Sequence, residues 1–165
     1  SRAEKGFDRG QKMYDTTLGW RFPNSQMEKR FPLMSLGDTA EEVAEKFKVT
    51  RQRQDEWALR SHQLAQESTE KGYFSQEILP VSTGDKVLDR DESVRGDSSL
   101  EKLAKLKPVF REKGTVTAGN SSPLNDGAVA LGVASGDFLK RHNLKPLARI
   151  LGGALGGVHP NLMGI

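Results

Sequence analysis

The sequence predicts an α/β chain whose larger, leading part is helical and loop-like and whose last part holds one incomplete α/β layer. Two observations carry this. Apolar residues recur at helical spacing between positions 38 and 72, and a strand–helix–strand order follows between positions 128 and 158. A single strand–helix–strand unit cannot cover both faces of its own sheet. The pattern therefore asks for more protein than these 165 residues contain.

The elements follow in order. Ser1 to Leu33 is polar and aromatic without clear period and includes Trp20-Arg21-Phe22-Pro23-Asn24 and Lys29-Arg30-Phe31-Pro32. Each proline biases the residue before it away from helix, so a long irregular segment is expected. Asp38 and Thr39 offer an N-cap, with Glu41 and Glu42 completing a capping box. Ala40, Val43, Ala44 and Phe47 then form one apolar stripe. Thr50 opens a longer helix whose stripe is Trp57, Ala58, Ser61, Leu64, Ala65 and Ser68, and Gly72 stops it.

Phe74 to Val81 reads as a short edge strand because Pro80 could not sit inside a sheet. Asp85 to Asp97 is a charged surface excursion. Ser98 with Glu101 caps a short helix closed by Pro108. A dense turn cluster, Gly119 to Gly127, precedes the apolar run Ala128–Ala134, read as a strand covered on both faces. Ser135 to His142 is the intervening helix and Leu147 to Val158 the second, glycine-rich strand.

Composition excludes several classes. Hydrophobic residues make up 35% of the chain and mean hydropathy is −0.60. No run approaches the roughly 20 apolar residues that cross a bilayer. Ser1 to Gly6 has no signal region, and both ends read as severed. With no cysteine, the chain supplies no disulfide, thiolate zinc site or cysteine nucleophile, and a cytoplasmic setting fits. Net charge is 25 − 22 = +3. Basic and acidic residues alternate, which reads as a solvated surface rather than a nucleic-acid interface.

Chemistry-bearing patterns are sparse. His62, His142 and His159 share no metal-ligand spacing. Glu41-Glu42 and the Asp89, Asp91, Glu92 group are explained by capping and solvation. Gly152 to Gly157 lacks dinucleotide-binding spacing. The Gly119–Gly127 cluster keeps two readings: a tight turn using left-handed conformations, or a place where backbone approaches a ligand closely.

Gly114-Thr115-Val116-Thr117-Ala118-Gly119-Asn120-Ser121-Ser122-Pro123-Leu124-Asn125-Asp126-Gly127-Ala128 resembles the thiolase segment GTVTAGNASGLNDGA. Thr39-Ala40-Glu41 with Val43-Ala44 resembles that family's MGxTAExVA. Arg51, Gln54-Asp55, Ala58-Leu59 and Ser61 resemble its RxxQDxFAxxS helix. Glu77 to Val81, Asp91-Glu92, Arg95, Leu103 to Phe110 and Met163-Gly164-Ile165 continue in family order. Asp15 to Phe22 leans toward the degradative branch, including thiolases of 3-oxoadipyl-CoA type.

The resemblance implies a thiolase-like αβαβα fold of two similar halves. Residues 1–113 would be the coenzyme-A-binding loop domain, 114–146 the last strand and helix of the first half, and 147–165 the first strand of the second. No cofactor is expected to be tightly bound. Coenzyme A would be a substrate, with Arg95 at its nucleotide end and Ser122 and Leu36 near its pantetheine. A guanidinium suits phosphate and a flat base, and a hydroxyl can bond a pantetheine amide.

Two departures from the family pattern touch the site. Ser35-Leu36-Gly37 stands where many relatives have His-Met-Gly, and Pro123 replaces a glycine. The resemblance puts the nucleophilic cysteine before Ser1 and the other catalytic groups after Ile165, so no catalytic residue is assigned. His159-Pro160 matches the family's GHP triplet only superficially.

The first reading is therefore a fragment of a thiolase, inactive alone, whose parent transfers acyl groups between coenzyme A and an enzyme cysteine as a homodimer or homotetramer. Its partner would be an acyl-CoA, with no nucleic acid and no membrane. A non-catalytic acyl-CoA-binding module is the alternative, and a ligand-free helical interaction domain the third.

Overall fold

A computed structural model describes Trp20 and residues 23–165. Most of the irregular segment expected over Ser1–Leu33 lies outside these residues. Within it a short helix, α1 (Ser25–Glu28), forms where Asn24 accepts hydrogen bonds from the Gln26 and Met27 amides. The described residues fall into two units. One extends to Pro123 and takes in Val158–Ile165; the other is Leu124–Gly157.

The first unit is built on α2 (Leu36–Lys46) and α3 (Arg51–Glu70). The α2 N-cap is Ser35, three residues before the expected Asp38, because Asp38 itself closes the capping box on Ser35. Thr50 caps α3 as expected. Both helices end in a reciprocal pair of bonds around one left-handed residue. Val49 and Lys48 amides donate to Ala44 and Glu45 carbonyls around Lys48 (φ 54°), and Tyr73 and Gly72 amides to Ser68 and Thr69 around Gly72 (φ 73°). Gly72 is legible in sequence as a stop. Lys48, with a Cβ in that conformation, is not.

The helical period is as expected, but the buried phase agrees only in part. On α3 the protected positions are Arg51, Gln54, Asp55, Ala58, Leu59, His62, Ala65, Gln66 and Ser68, which takes in half of the expected stripe, while Trp57 stays 68% exposed. On α2 the buried positions are Gly37, Thr39, Glu41 and Ala44, with Val43 half-buried and Ala40 and Phe47 exposed. Polar side chains share the protected faces because they find hydrogen-bond partners in distant segments.

The remaining elements are small. The expected Phe74–Val81 strand does not form, because residues 74–77 close a turn; only Val81 enters β1 (Val81–Ser82), paired antiparallel with β2 (Val87–Leu88) around a turn at Gly84 (φ 81°). Helix α4 (Leu100–Ala104) packs on α3 and is capped by Ser99 rather than Ser98, because Ser99 Oγ accepts the Lys102 amide. A 3-10 turn, Pro160–Leu162, packs against α2, and His159 Nδ1 accepts the Asn161 amide there. No described helix is long and apolar enough to cross a membrane.

In the second unit, α5 (Gly136–Arg141) forms where expected, capped by Ser135 and closed around Asn143 (φ 49°). The two expected strands do not form. Ala128–Ala134 and the run from Leu147 take no ladder, and their large side chains are exposed, Leu131 at 85%. A strand exists only through hydrogen bonds to a neighbour, and within this unit neither run has one.

Candidate functional site

The best-defined polar cluster of the first unit lies where the turn 114–121 meets α2 and α3. Glu41 is 4% exposed, and its carboxylate takes four hydrogen bonds. The Thr115 amide donates to both oxygens at 2.8 and 2.9 Å, Thr115 Oγ1 at 2.9 Å, and the Val116 amide at 2.8 Å. Such charge-assisted bonds are the strong kind. A Cβ at Gly114 would overlap Glu41 Oε1, so only glycine lets the chain pass this close. Gln54 Nε2 donates to Thr115 Oγ1 at 2.9 Å and to the Val49 carbonyl at 3.1 Å.

From α3, Asp55 receives Arg51 Nε at 2.8 Å and Asn120 Nδ2 at 2.9 Å. Arg51 also donates to the Leu103 and Leu106 carbonyls, at 2.6 and 3.1 Å, and so holds the end of α4. Asn120 organises the turn itself. Its Oδ1 accepts the Thr117 amide at 2.7 Å, and its Nδ2 donates to the Thr115 carbonyl at 3.1 Å. Ser121 Oγ donates to the Thr117 carbonyl at 2.5 Å. Thr117 is fully buried, and no buried side-chain N or O lacks a partner among the described residues. The start of the glycine-rich cluster, up to Ser121, is thus a bonded turn, and no residue from Gly119 to Gly127 takes a left-handed conformation.

Arg111 closes the same region from the α2 side. It bonds Glu42 at 2.5 Å and lies 3.6 Å from Glu45 and 4.0 Å from Asp38. Its hydrogen bond with Glu42 raises the guanidinium pKa further, so it stays cationic.

The three residues expected to meet coenzyme A lie around this frame. Leu36 is the first residue of α2 and is 73% exposed. Ser122 is exposed and follows directly on the turn held by Asn120. Arg95 lies in the loop before α4, and its amide donates to His62 Nδ1 of α3 at 3.1 Å. The structure connects the three through α2 and α3 rather than to one another.

Glu41 departs from the capping and solvation expected of it. The side chain is buried and binds backbone amides more than seventy positions away. Asp55, Asn120 and His62 likewise gain distant partners that no local pattern announces. The available signal is the glycine at 114, whose missing side chain makes room for a carboxylate.

Comparison with known proteins accords with this geometry. A family model described as thiolase, N-terminal domain, matches residues 7–137. The chain is 49% identical over 168 residues to a beta-ketoadipyl-CoA thiolase of Pseudomonas knackmussii, and 43% identical over 169 residues to the 3-oxoadipyl-CoA/3-oxo-5,6-dehydrosuberyl-CoA thiolase of Escherichia coli. In each case 99% of this chain aligns, but the chain spans only 42% of the relative's length.

Among solved structures, the acetyl-CoA acetyltransferase of Bacillus anthracis superposes with a TM-score of 0.73 at 43% identity, over 81% of this chain and 35% of that one. Human mitochondrial 3-ketoacyl-CoA thiolase in complex with CoA gives a TM-score of 0.70 at 38% identity, over 80% and 33%. The fold is accordingly thiolase-like α/β, represented here by the helical loop region and an incomplete α/β layer. The chain belongs to the thiolase family, in the part matched by its N-terminal domain.

Proposed function

We propose that this chain is the coenzyme-A-binding portion of a longer acyltransferase, one that moves acyl groups between coenzyme A and an enzyme cysteine by 3-oxoacyl-CoA thiolysis or acetyl-CoA condensation. The observation that carries this is the 49% identity to a beta-ketoadipyl-CoA thiolase across 99% of the chain. The same relatives favour a degradative role with a dicarboxylic 3-oxoacyl substrate such as 3-oxoadipyl-CoA. The chain has no cysteine, so the acyl-carrying nucleophile must come from sequence outside it, and the chain alone is expected to be inactive. Residues 1–113 would act as the loop domain, 114–146 as the end of the first half and 147–165 as the opening of the second. The complete subunits would associate as a dimer or tetramer.

Within this reading Arg95 meets the nucleotide end of coenzyme A, while Ser122 and Leu36 meet the pantetheine. Support comes from the anchorage of all three to α2 and α3 and from the exposure of Ser122 and Leu36. A guanidinium on a surface loop can reach phosphate in solution. Leu36 offers an apolar surface at a helix start, and Ser122 an exposed hydroxyl on a braced turn.

Steady-state kinetics of the complete enzyme test it. Arg95→Ala should raise KM for coenzyme A with kcat little changed, since the contact lies far from the breaking bond. Loss of one charge-assisted contact is worth about 1.5–3 kcal/mol, and a surface position puts the effect at the lower end, roughly tenfold. Ser122→Ala should lower kcat as well, because a misplaced pantetheine misplaces the thioester. Equal damage by Arg95→Ala to coenzyme A and to a pantetheine substrate without the nucleotide would refute the assignment of Arg95.

A further inference from the structure

Two polar residues on one face of α3 hold the two segments that carry Arg95 and Ser122. Asp55 bonds Asn120, which braces the turn running into Ser122, and His62 Nδ1 accepts the Arg95 amide at 3.1 Å. Positions 55 and 62 are seven apart, or about two helical turns and 10.5 Å along the axis. We propose that His62 is a positioning residue for Arg95, and that α3 is a rigid template setting the distance between the nucleotide and pantetheine contacts of a bound coenzyme A. This rests on the reading of Arg95 and Ser122 given above.

The loop around Arg95 has little else to define it. Residues from Asp85 to Glu92 are exposed, and the Ser98 amide closes a local turn on the Arg95 carbonyl at 3.1 Å. What ties this turn to the helices is contact at its two ends. On one side stand His62 and, one helical turn on, Gln66, whose side chain comes so near Gly96 that a Cβ there would lie 3.0 Å from its carbonyl group. On the other, Lys102 of α4 bonds both the carbonyl and the carboxylate of Asp97, at 2.6 and 2.9 Å.

An arginine side chain has much rotamer freedom to lose on binding. Fixing its backbone origin is the part of that cost the fold can meet in advance. The acceptor must be an unprotonated ring nitrogen, so His62 serves as the neutral tautomer with its proton on Nε2. An asparagine in place of His62 would put its Oδ1 close to where the imidazole Nδ1 sits, whereas a leucine offers no acceptor.

The complete enzyme should be assayed as His62→Leu, His62→Asn, Arg95→Ala and the His62→Leu/Arg95→Ala double variant. Readouts are KM and kcat with coenzyme A and with pantetheine, together with melting temperature. We expect His62→Leu to raise KM for coenzyme A about fivefold, the worth of one hydrogen bond, while sparing kcat and the KM for pantetheine. His62→Asn should restore KM to within about twofold, and His62→Leu should add nothing once Arg95 is alanine.

If Arg95→Ala raises KM for coenzyme A and His62→Leu does not, the inference fails while the assignment of Arg95 stands. If Arg95→Ala itself has no effect, both fall. Should His62→Leu not fold, His62→Ala makes the same deletion. Loss of affinity for both thiols in step with a lower melting temperature would mark His62 as merely structural and overturn the proposal.

Discussion

Among the described residues of the first unit few large apolar side chains are buried, whereas Leu124–Gly157 is richer in them and buries none. Among the described residues of the first unit the buried hydrophobics are Ala44, Leu103 and Val116, beside buried Thr39, Glu41, Asp55 and Thr117. It is nonetheless well defined, because carboxylates on two helices satisfy the polar groups of a turn. In the second unit Val129, Leu131, Val133, Ile150 and Leu151 all stand exposed. Hydrophobicity needs a second surface before it stabilises anything. A buried carboxylate with four hydrogen bonds carries its partners with it.

The largest test of that contrast is Glu41→Ala. Two backbone amides, Thr115 and Val116, would be left without their acceptor, each costing about 1–3 kcal/mol. We expect the first unit to lose about 3 kcal/mol or more, read as a lower urea midpoint. A loss under about 0.5 kcal/mol would mean the carboxylate is not what organises the turn.

Its counterpart is Leu131→Ser. The side chain is 85% exposed, so the melt of this chain should shift by less than about 0.5 kcal/mol. The same change should lower self-association by light scattering, since exposed apolar runs attract one another. A large loss of stability would show that this run packs after all.

The smallest effect is electrostatic. The hydrogen bond and charge of Lys102 hold the Asp97 carboxyl below the usual carboxylate range, and the Ser99 hydroxyl does the same for Glu101. Groups with depressed folded-state pKa values add stability above their unfolded values and lose it as pH falls. The contribution of this α4 cap should therefore be present at neutral pH and fade below about pH 4. Both groups are solvent-exposed, so Lys102→Met should change the acid limb of the stability curve only slightly, and raised salt should erase the difference.

Much of the local structure is readable from the chain. Thr50 opens its helix and the helix after Ser135 forms as expected, Gly72 ends α3, and the thiolase motifs from Thr39 to Ala128 stand in order, which is enough to identify the family. These are short-range facts: a cap, a stop or a motif depends on residues a few positions apart. The buried face of each helix is a different matter, because each apolar stripe is only partly protected. Apolar residues mark the core only when the partner surface is apolar, and here that surface includes the backbone amides of Thr115 and Val116 and the side chain of Asn120. Only the tertiary structure could reveal that Glu41 reaches Thr115, that Asp55 reaches Asn120 and that His62 reaches Arg95. A carboxylate or imidazole looks the same in sequence whether it faces water or a distant amide. Its role is decided when the fold closes the distance.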